Sequence, residues 1–388
     1  MGPMKFRLMT PGPTPVPEET LLELARPVFY HRSATFRELL REVTNNLQHL
    51  FCTEREVLTL TASGTGGMEA ALSSSLSAGE KVICLVSGRW GERWKQLCRA
   101  LGMELVVVAV PPGESVEPRL LADALKQHPD AAAVCATLSE TSTGVKNDIA
   151  AFGRIVADTP ALLLVDTISG MGCMECRTDD WRIDINVTGS QKALMLPPGL
   201  AFVSVSDKAW KKIDANTGSR AFYFDLRKYR DALLSGDTPF TPANTLVRGL
   251  RVSLARLRAE GIENLWARHA RLAAMARAGL QAMNLELFAR VPAESLTVVR
   301  VPAGLDGQAL LNRLEKEHGI KLAGGQDTLK GKVLRLAHMG HIDAFDVLSA
   351  LAGLELVLLE MGHDLEPGAG LTAAQRVLAS GLALTQTV

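Results

Sequence analysis

The sequence lacks an excess of either charge. Its 388 residues include 42 lysines and arginines and 42 aspartates and glutamates, which gives a formal net charge of zero. Because the two signs are mixed along the chain, we expect no basic face that would attract nucleic acid. A chain of this length can bury a large core and is expected to form two domains.

Long hydrophobic runs and a secretory signal are also missing. The most apolar stretch, residues 347–361, contains glutamates and is too short to span a bilayer. The N-terminus does not show the basic and then apolar segments of a signal peptide. We therefore expect no membrane segment and a cytoplasmic location.

Cysteine is absent after position 176. The six cysteines are Cys52, Cys84, Cys98, Cys135, Cys173 and Cys176. The last two form a single C-x-x-C pair with neither a second pair nor a nearby histidine, so no metal site is predicted. We interpret them as loop or buried thiols.

From Pro17 onwards, apolar segments of strand length alternate with segments of helical periodicity. This alternation predicts an α/β fold with a mostly parallel, doubly wound sheet. The predicted divisions are a proline-rich, non-helical arm (1–16), a large domain (17–262) and a small C-terminal domain (263–388). The local predictions are helices at 18–26 and 36–50, a strand–turn–helix unit at 59–76, a long helical stretch at 244–281, and strands at 81–86, 296–301 and 333–337.

Lys192 stands out because it follows one apolar strand, at 183–189, and precedes another, at 200–205. Burial between two strands costs an ammonium several kcal/mol and lowers its pKa. A low pKa is what a lysine needs in order to form a Schiff base with a carbonyl compound. The alternative is a solvated lysine at the end of a strand.

Asp166 ends a continuous apolar run at 161–165, which suits a parallel strand buried on both faces. In open α/β sheets, ligands bind at the carboxyl ends of the strands. A helix cap or loop carboxylate is the alternative. Together with Lys192, however, this carboxylate meets the needs of pyridoxal phosphate, which requires a lysine and an acidic partner for the pyridine nitrogen.

A glycine-rich turn, S-G-T-G-G at 63–67, joins a predicted strand to a predicted helix. Glycines let the backbone approach an anion, and a helix N-terminus presents free N–H groups. The turn lacks the Gly-Lys-Ser/Thr of a Walker loop, and Glu69 replaces the third glycine of a dinucleotide fingerprint. It is therefore either a phosphate site or an ordinary tight turn.

With these elements in this order, the sequence resembles the fold-type I, class V aminotransferases, and in particular the alanine–glyoxylate and serine–glyoxylate aminotransferases. The resemblance runs nearly end to end. It implies a seven-stranded sheet in the large domain, a smaller α+β C-terminal domain, pyridoxal phosphate as cofactor, and a homodimer with shared active sites. The motifs that carry it are T-P-G-P-T (10–14), S-G-T-G-G-M-E (63–69), W-G-E-R (90–93), E-T-S-T-G-V (140–145), V-D (165–166) and G-S-Q-K-A-L (189–194).

The resemblance also implies a role for each site residue. Lys192 would form the Schiff base and Asp166 would partner the pyridine nitrogen. Arg335 would bind the substrate carboxylate in a pocket lined by Pro11 and Gly12. The implied cofactor contacts are Thr65, Gly66, Gly67 and Gln191 at the phosphate, Trp90 stacked on the ring, Thr141 near the ring, and Thr238 and Thr241 in a loop (237–242) that reaches the phosphate of the partner subunit.

Alternatives remain for two of these residues when they are taken alone. Trp90 also suits a core or interface tryptophan, because large aromatic side chains are mostly buried for packing. Arg335 lies in an apolar strand pattern, where an unpaired buried arginine is costly, so it is either a ligand-binding residue or an edge-strand arginine facing water.

The chain departs from the family pattern at two places. Leu138 stands where many relatives have histidine, and Ser235-Gly236 stand where some have tyrosine. The amino donor is therefore left open among alanine, serine, and a ureido or phosphonate amine. A cysteine desulfurase is disfavoured, because such enzymes have a late nucleophilic cysteine and a histidine where Gln191 precedes Lys192.

The predicted function is ping-pong transamination from a small amino acid, alanine or serine, to glyoxylate or a similar 2-oxo acid. Lys192 would act as the general base and acid. The alternative from another class is a hydrogenase-associated redox subunit of the same superfamily, which only Cys173 and Cys176 would support.

Overall fold

The structure is a computed structural model that describes residues 5–385, with side chains for residues 5–380. Residues 1–4 of the predicted arm and 386–388 of the predicted C-terminal domain therefore lie outside the described residues. The strands are β1 (Arg7–Leu8), β2 (Val57–Leu60), β3 (Lys81–Val86), β4 (Glu104–Ala109), β5 (Ala133–Thr137), β6 (Ser139–Glu140), β7 (Val145–Lys146), β8 (Leu162–Asp166), β9 (Ile185–Gly189), β10 (Ala201–Val205), β11 (Leu296–Arg300), β12 (Ile320–Lys321), β13 (Ala323–Gly324) and β14 (Val333–Ala337).

Helices alternate with the strands of the large domain and then dominate the C-terminal part. None of those described combines the length and the apolar character needed to cross a bilayer. The helices are α1 (Glu18–Leu24), α2 (Ala34–Phe51), α3 (Gly64–Ser75), α4 (Arg89–Ala100), α5 (Pro118–Gln127), α6 (Ile149–Ala157), α7 (Asp207–Ala215), α8 (Leu226–Leu234), α9 (Asn244–Glu260), α10 (Ile262–Ala282), α11 (Gly307–His318), α12 (Ala344–Glu360) and α13 (Ala369–Thr385), with a 3₁₀ turn at Asp327–Leu329.

The central sheet has seven strands in the order β2-β10-β9-β8-β5-β3-β4. Strand β10 is antiparallel to both its neighbours, and the other pairs in the sheet are parallel. The predicted mostly parallel, doubly wound, seven-stranded sheet is confirmed. Because β5, β8 and β9 are adjacent and parallel, their carboxyl ends lie side by side at one edge.

Helices cover both faces of this sheet, which explains why its strands are apolar throughout. In β3, Ile83 and Leu85 pack into a core with α2, α5 and α6. The alternate residues Val82, Cys84 and Val86 pack into a second core with α3, α4 and α7. The two-residue alternation of a strand thus divides one segment between two cores.

A smaller sheet, with the strand order β11-β14-β13, belongs to the C-terminal part of the chain and has its own core. The N-terminal arm is attached to this part, because β1 pairs in parallel with β12 and Met9 is buried in the same core. The arm then continues towards the large sheet, where the Thr14 hydroxyl donates a hydrogen bond to the backbone oxygen of Lys192.

The local predictions hold best for strands. Strands 81–86 and 333–337 agree with β3 and β14 to the residue. The long helical stretch predicted at 244–281 consists of two helices, because Gly261 adopts a φ of +83° and separates α9 from α10. A glycine in this left-handed region ends a helix at little steric cost.

Candidate active site

Lys192 lies in the turn that follows β9, and its side chain is almost fully buried. Its Nζ donates a hydrogen bond to the backbone oxygen of Pro11. Burial lowers the pKa of this ammonium to about 8, although the charge of Asp166 opposes the shift. Near neutral pH a minor fraction of the amine is therefore uncharged, which is the form that attacks a carbonyl carbon.

The N-terminal arm forms one wall beside this lysine. Gly12 has a φ of +115°, and a Cβ built on it would lie 2.5 Å from the Nζ of Lys192. Any side chain at position 12 would therefore displace the amine. Pro11 and Gly12 lie in the predicted pocket wall.

Asp166 is the last residue of β8, and its carboxylate accepts a hydrogen bond of 2.8 Å from the backbone N–H of Ile168. Burial raises the pKa of this carboxyl to about 7, and the nearby charge of Glu140 adds to the shift, whereas the charges of Lys192 and Arg93 oppose it. A carboxyl near the midpoint of its titration gains stability from a cationic partner placed in the same cavity. A protonated pyridine nitrogen is such a partner.

The structure brings Lys192 and Asp166 to a common cavity of about 220 Å³. Its lining also includes Thr65, Trp90 and Gln191, as the resemblance implied. Among the described residues, the Oε1 atom of Gln191 is buried without a hydrogen-bond partner. An orphaned polar atom beside an amine and a carboxyl leaves room for a polar ligand, and these groups fit pyridoxal phosphate.

The glycine-rich turn forms the start of α3, but its glycines serve packing first. A Cβ on Gly64 would lie 2.3 Å from a side-chain carbon of Ile168, and one on Gly67 would lie 2.7 Å from Val187. The amides of Gly66 and Gly67 hydrogen-bond to the backbone oxygen of Ser63 within the first helical turn. Gly66 and Gly67 are not in the cavity wall, so their contact with a phosphate stays a prediction.

Trp90 is held from three directions. Its indole N–H donates to the Thr141 hydroxyl at 2.6 Å, and its backbone N–H donates to the Glu140 carboxylate at 2.8 Å. The Arg93 guanidinium lies over the indole, 5.4 Å from the ring centroid, and donates to the Thr65 hydroxyl at 2.9 Å. The ring is therefore oriented before any ligand arrives, and it is not a core tryptophan.

Arg335 reaches the site from the middle of β14, in the smaller sheet. Two backbone oxygens hold its guanidinium: Nε donates to Gly324 at 2.8 Å and Nη1 donates to Thr141 at 3.1 Å. In the part of the chain that the structure describes, Arg335 forms no ion pair. It lines a cavity of about 300 Å³ that also contains Lys192, Pro11 and Gly12. The arginine is buried and not at a solvated edge, and the rest of its fork is available to a carboxylate.

Thr238 and Thr241 do not reach these cavities within the same chain. The Thr238 hydroxyl donates to the backbone oxygen of Phe240 at 2.9 Å. An ion pair between Asp237 and Arg32 connects this loop to an earlier segment of the same chain. Their predicted contact with a phosphate in the partner subunit stays a prediction.

The cysteines of the C-x-x-C pair are buried, free thiols. Burial raises the pKa of both Cys173 and Cys176 to about 12, so neither is a ready thiolate. A different group was missed from the sequence: the sulfurs of Cys84, Cys98 and Cys135 lie within 4.8 Å of one another. These three thiols are fully buried in an apolar core, as small hydrophobic residues often are.

Several residues at the site were not among the sequence candidates. Glu140 is fully buried, and its carboxylate accepts hydrogen bonds from the backbone N–H groups of Trp90, Gly91 and Ser142. Its place in the E-T-S-T-G-V motif could have indicated this role. Ser139 lines the 220 Å³ cavity, next to the position where relatives have histidine. Gln326 lines both cavities, but no feature of its local sequence indicates this.

Comparisons with known proteins agree with this geometry. A family model described as aminotransferase class-V matches residues 22–342. The chain is 42% identical to the "Soluble hydrogenase, small subunit" of Synechococcus sp. (strain PCC 6716), with 97% of this chain and 99% of that protein covered. It is 38% identical to the L-aspartate–glyoxylate aminotransferase of Paracoccus denitrificans, over 95% of each chain. It is 33% identical to the serine–glyoxylate aminotransferase of Methylorubrum extorquens, over 97% of this chain and 96% of that one.

Solved structures show the same fold. The ureidoglycine–glyoxylate aminotransferase of Bacillus subtilis superposes with a TM-score of 0.92 at 29% identity, covering 98% of this chain and 99% of that chain. The pyridoxamine–pyruvate aminotransferase of Mesorhizobium loti superposes with a TM-score of 0.93 at 31% identity, covering 98% of each chain.

Proposed function

The chain belongs to the class V aminotransferases and is a transaminase with pyridoxal phosphate as its cofactor, and we propose that it moves the amino group of alanine or serine to glyoxylate or a similar 2-oxo acid. The observation that carries this proposal is the meeting of Lys192 and Arg335 in one cavity. One is an amine whose pKa is lowered by burial, and the other is a guanidinium that forms no ion pair among the described residues.

The residues that would hold the cofactor surround the smaller cavity. Lys192 would bind it covalently, Asp166 would face the pyridine nitrogen, and Trp90 would cover one face of the ring. Thr65, Gln191 and the start of α3 would contact the phosphate, with Thr238 and Thr241 of a second subunit. This sharing supports a homodimer as the active form, and we propose a cytoplasmic location for it.

When bound, the cofactor supplies an electron sink that weakens the C–H bond at the substrate's α-carbon. Arg335 would orient the substrate by its carboxylate, and the Pro11–Gly12 backbone would limit the space beside it. The amine of Lys192 would take the proton from the α-carbon and hold it for return, because its lowered pKa suits both directions of transfer near neutral pH. Release of a 2-oxo acid before the acceptor binds makes the sequence ping-pong.

Two alternatives are less well supported. Two similar proteins are named hydrogenase subunits, but the buried Cys173 and Cys176 belong to neither of the groups of three metal-ligating residues found among the described residues. A ureido amine donor is named for one similar structure, and a phosphonate donor has no observation in its favour.

A half-reaction experiment tests the proposal. The purified holoprotein is mixed with one amino acid and no acceptor, and the change in cofactor absorbance is compared with the 2-oxo acid released. We expect alanine or serine to release one equivalent per active site and glyoxylate to restore the original spectrum. No release from any amino acid would contradict the proposal, and stoichiometric iron or nickel in a protein without the absorbance of pyridoxal phosphate would favour the redox alternative.

A further inference from the structure

A third cavity, of about 460 Å³, borders the two that contain Lys192. It lies between α4 and the 3₁₀ turn at Asp327–Leu329. Gln326 lines all three cavities, so this residue lies at their common boundary. The reaction proposed above requires nothing from this third space, which is the largest of the three.

Arg89, the first residue of α4, supplies the available positive charge in this cavity. The residue that follows it, Trp90, lines the 300 Å³ cavity together with Arg335. The charge of Arg89 also adds to the lowering of the pKa of Arg335 to about 10, of which burial is the main cause. Arg93 also lines the cavity, but it is engaged by the Thr65 hydroxyl and the Trp90 ring. A second cation close to the one that binds the α-carboxylate is expected to favour a substrate with two negative groups.

The two acidic side chains of the cavity neutralise the charge of Arg89 only weakly. Glu92 is paired with Lys95 at 2.7 Å. Asp327 pairs with Arg89 at 3.1 Å, but its side chain is 64% exposed and that of Arg89 is 36% exposed. Exposed ion pairs contribute only about 0–1 kcal/mol, so an entering carboxylate can replace Asp327.

Gln326 adds a second polar group at the cavity boundary. Its Oε1 atom is buried without a hydrogen-bond partner among the described residues. A buried amide oxygen of this kind is costly unless a ligand or water donates to it. An amino or ammonium group of a bound substrate would satisfy it.

We propose that this cavity binds the side-chain carboxylate of a dicarboxylic amino acid or 2-oxo acid, which Arg89 receives in place of Asp327 while Arg335 holds the α-carboxylate. The inference rests on the proposed transamination and extends its substrate class from alanine and serine to dicarboxylic acids. Alanine and serine would leave the cavity to water, whereas a dicarboxylic substrate would use both arginines.

Binding of unreactive carboxylates tests the inference without turnover. Succinate and butyrate have the same chain length and differ by one carboxylate. Calorimetric titration of each into the holoprotein therefore measures how much the second carboxylate adds to the binding affinity. We expect succinate to bind about tenfold or more tightly than butyrate, because hydrogen bonds to charged groups are strong ones. Equal affinity for the two acids would overturn the proposal.

Substitutions show which residues cause the preference for succinate over butyrate. Arg89→Gln should remove most of the preference for succinate, and Asp327→Asn should increase it about two- to fivefold by removing the competing carboxylate. Arg313→Gln is the matched control, because this arginine has a similarly exposed side chain (34%), pairs with Glu317, and lies on α11; it should leave the preference unchanged. A preference that survives Arg89→Gln but disappears in Lys321→Gln would assign the second carboxylate to Lys321, which lines the 300 Å³ cavity, and would overturn the proposal.

The half-reaction separates failure of this inference from failure of the proposed function. If alanine releases its 2-oxo acid but succinate binds no more tightly than butyrate, only the inference fails. If no amino acid reacts while succinate remains the tighter ligand, the anion site stands and the transamination fails.

Discussion

Two buried cations meet at the active site, one from each part of the molecule. Lys192 follows β9 of the large sheet, and Arg335 lies in β14 of the small one. Burial lowers the pKa of the lysine to about 8 and that of the arginine to about 10. Near neutral pH the lysine is therefore close to losing its proton, while the arginine keeps its charge.

The same physical cause thus suits the two residues to different tasks. A compact amine changes protonation readily when it is desolvated, which suits proton transfer. A guanidinium starts from a much higher pKa and stays charged, which suits recognition of a carboxylate. Their partners are similar in kind. The charge of Asp166 acts on Lys192 and that of Glu140 acts on Arg335. Lys192 donates to one backbone oxygen and Arg335 donates to two.

Removal of the amine is expected to have the largest effect. Lys192→Ala should reduce turnover about 10⁴-fold or more, because it removes both the covalent attachment and the proton-transfer group. The absorbance of the lysine-bound form of the cofactor should also be lost. Lys126→Ala, at an exposed lysine on α5, is the control and should keep both. Substantial turnover in Lys192→Ala would contradict the proton-transfer role proposed for Lys192.

Loss of the acidic partner is expected to rank second. Asp166→Asn should lower kcat about 10²- to 10³-fold, because an amide does not stabilise a protonated pyridine nitrogen as a carboxylate does. The KM for the amino donor should change much less, since Asp166 is not expected to contact the substrate. Steady-state kinetics measure the two separately, with Asp130→Asn at an exposed site as control. An effect confined to KM would contradict the role given to Asp166.

A conservative change at the recognition residue should have a smaller effect. Arg335→Lys keeps a positive charge but loses the planar fork, so kcat/KM should fall about 10- to 100-fold. The loss should fall mainly on KM, and the cofactor spectrum should be unchanged. A shifted spectrum with an unchanged KM would place Arg335 in the cofactor site and not in the substrate site.

The two cations should respond differently to pH near neutrality. A rate that depends on neutral Lys192 should change about tenfold per pH unit, whereas binding to the charged Arg335 should hardly change. Because the pKa of Lys192 is lowered to about 8, the neutral amine is gained as pH rises, and cofactor uptake by the apoprotein should accelerate about tenfold per pH unit below 8 and level off above it. Uptake can be followed by absorbance in stopped-flow mixing.

Butyrate binding, which we propose depends on Arg335, should stay nearly constant from pH 6 to about pH 9, because this guanidinium remains charged over that range. Uptake that still accelerates towards pH 10 would mean that Lys192 titrates as an exposed lysine. In that case, burial would not distinguish the two cations.

Much of the large domain could be predicted from local patterns. Continuous apolar runs identified strands such as β8, and the polar residue that ended each run identified the ligand-binding edge. Gly261 shows the limit of such patterns. Apolar spacing continues across it, and only its left-handed backbone separates α9 from α10.

The sequence by itself determined the strands, their alternation with helices, and the polar residues at strand ends, because these depend on neighbouring residues and on the two- and 3.6-residue periods. It therefore identified Lys192 and Asp166. Tertiary structure alone decided which distant groups face them. Arg335 and Gly12, which the family resemblance had implied, and Glu140 and Gln326, which it had not, come to the site from four separate segments. The desolvation that shifts the pKa values exists only when those segments pack together.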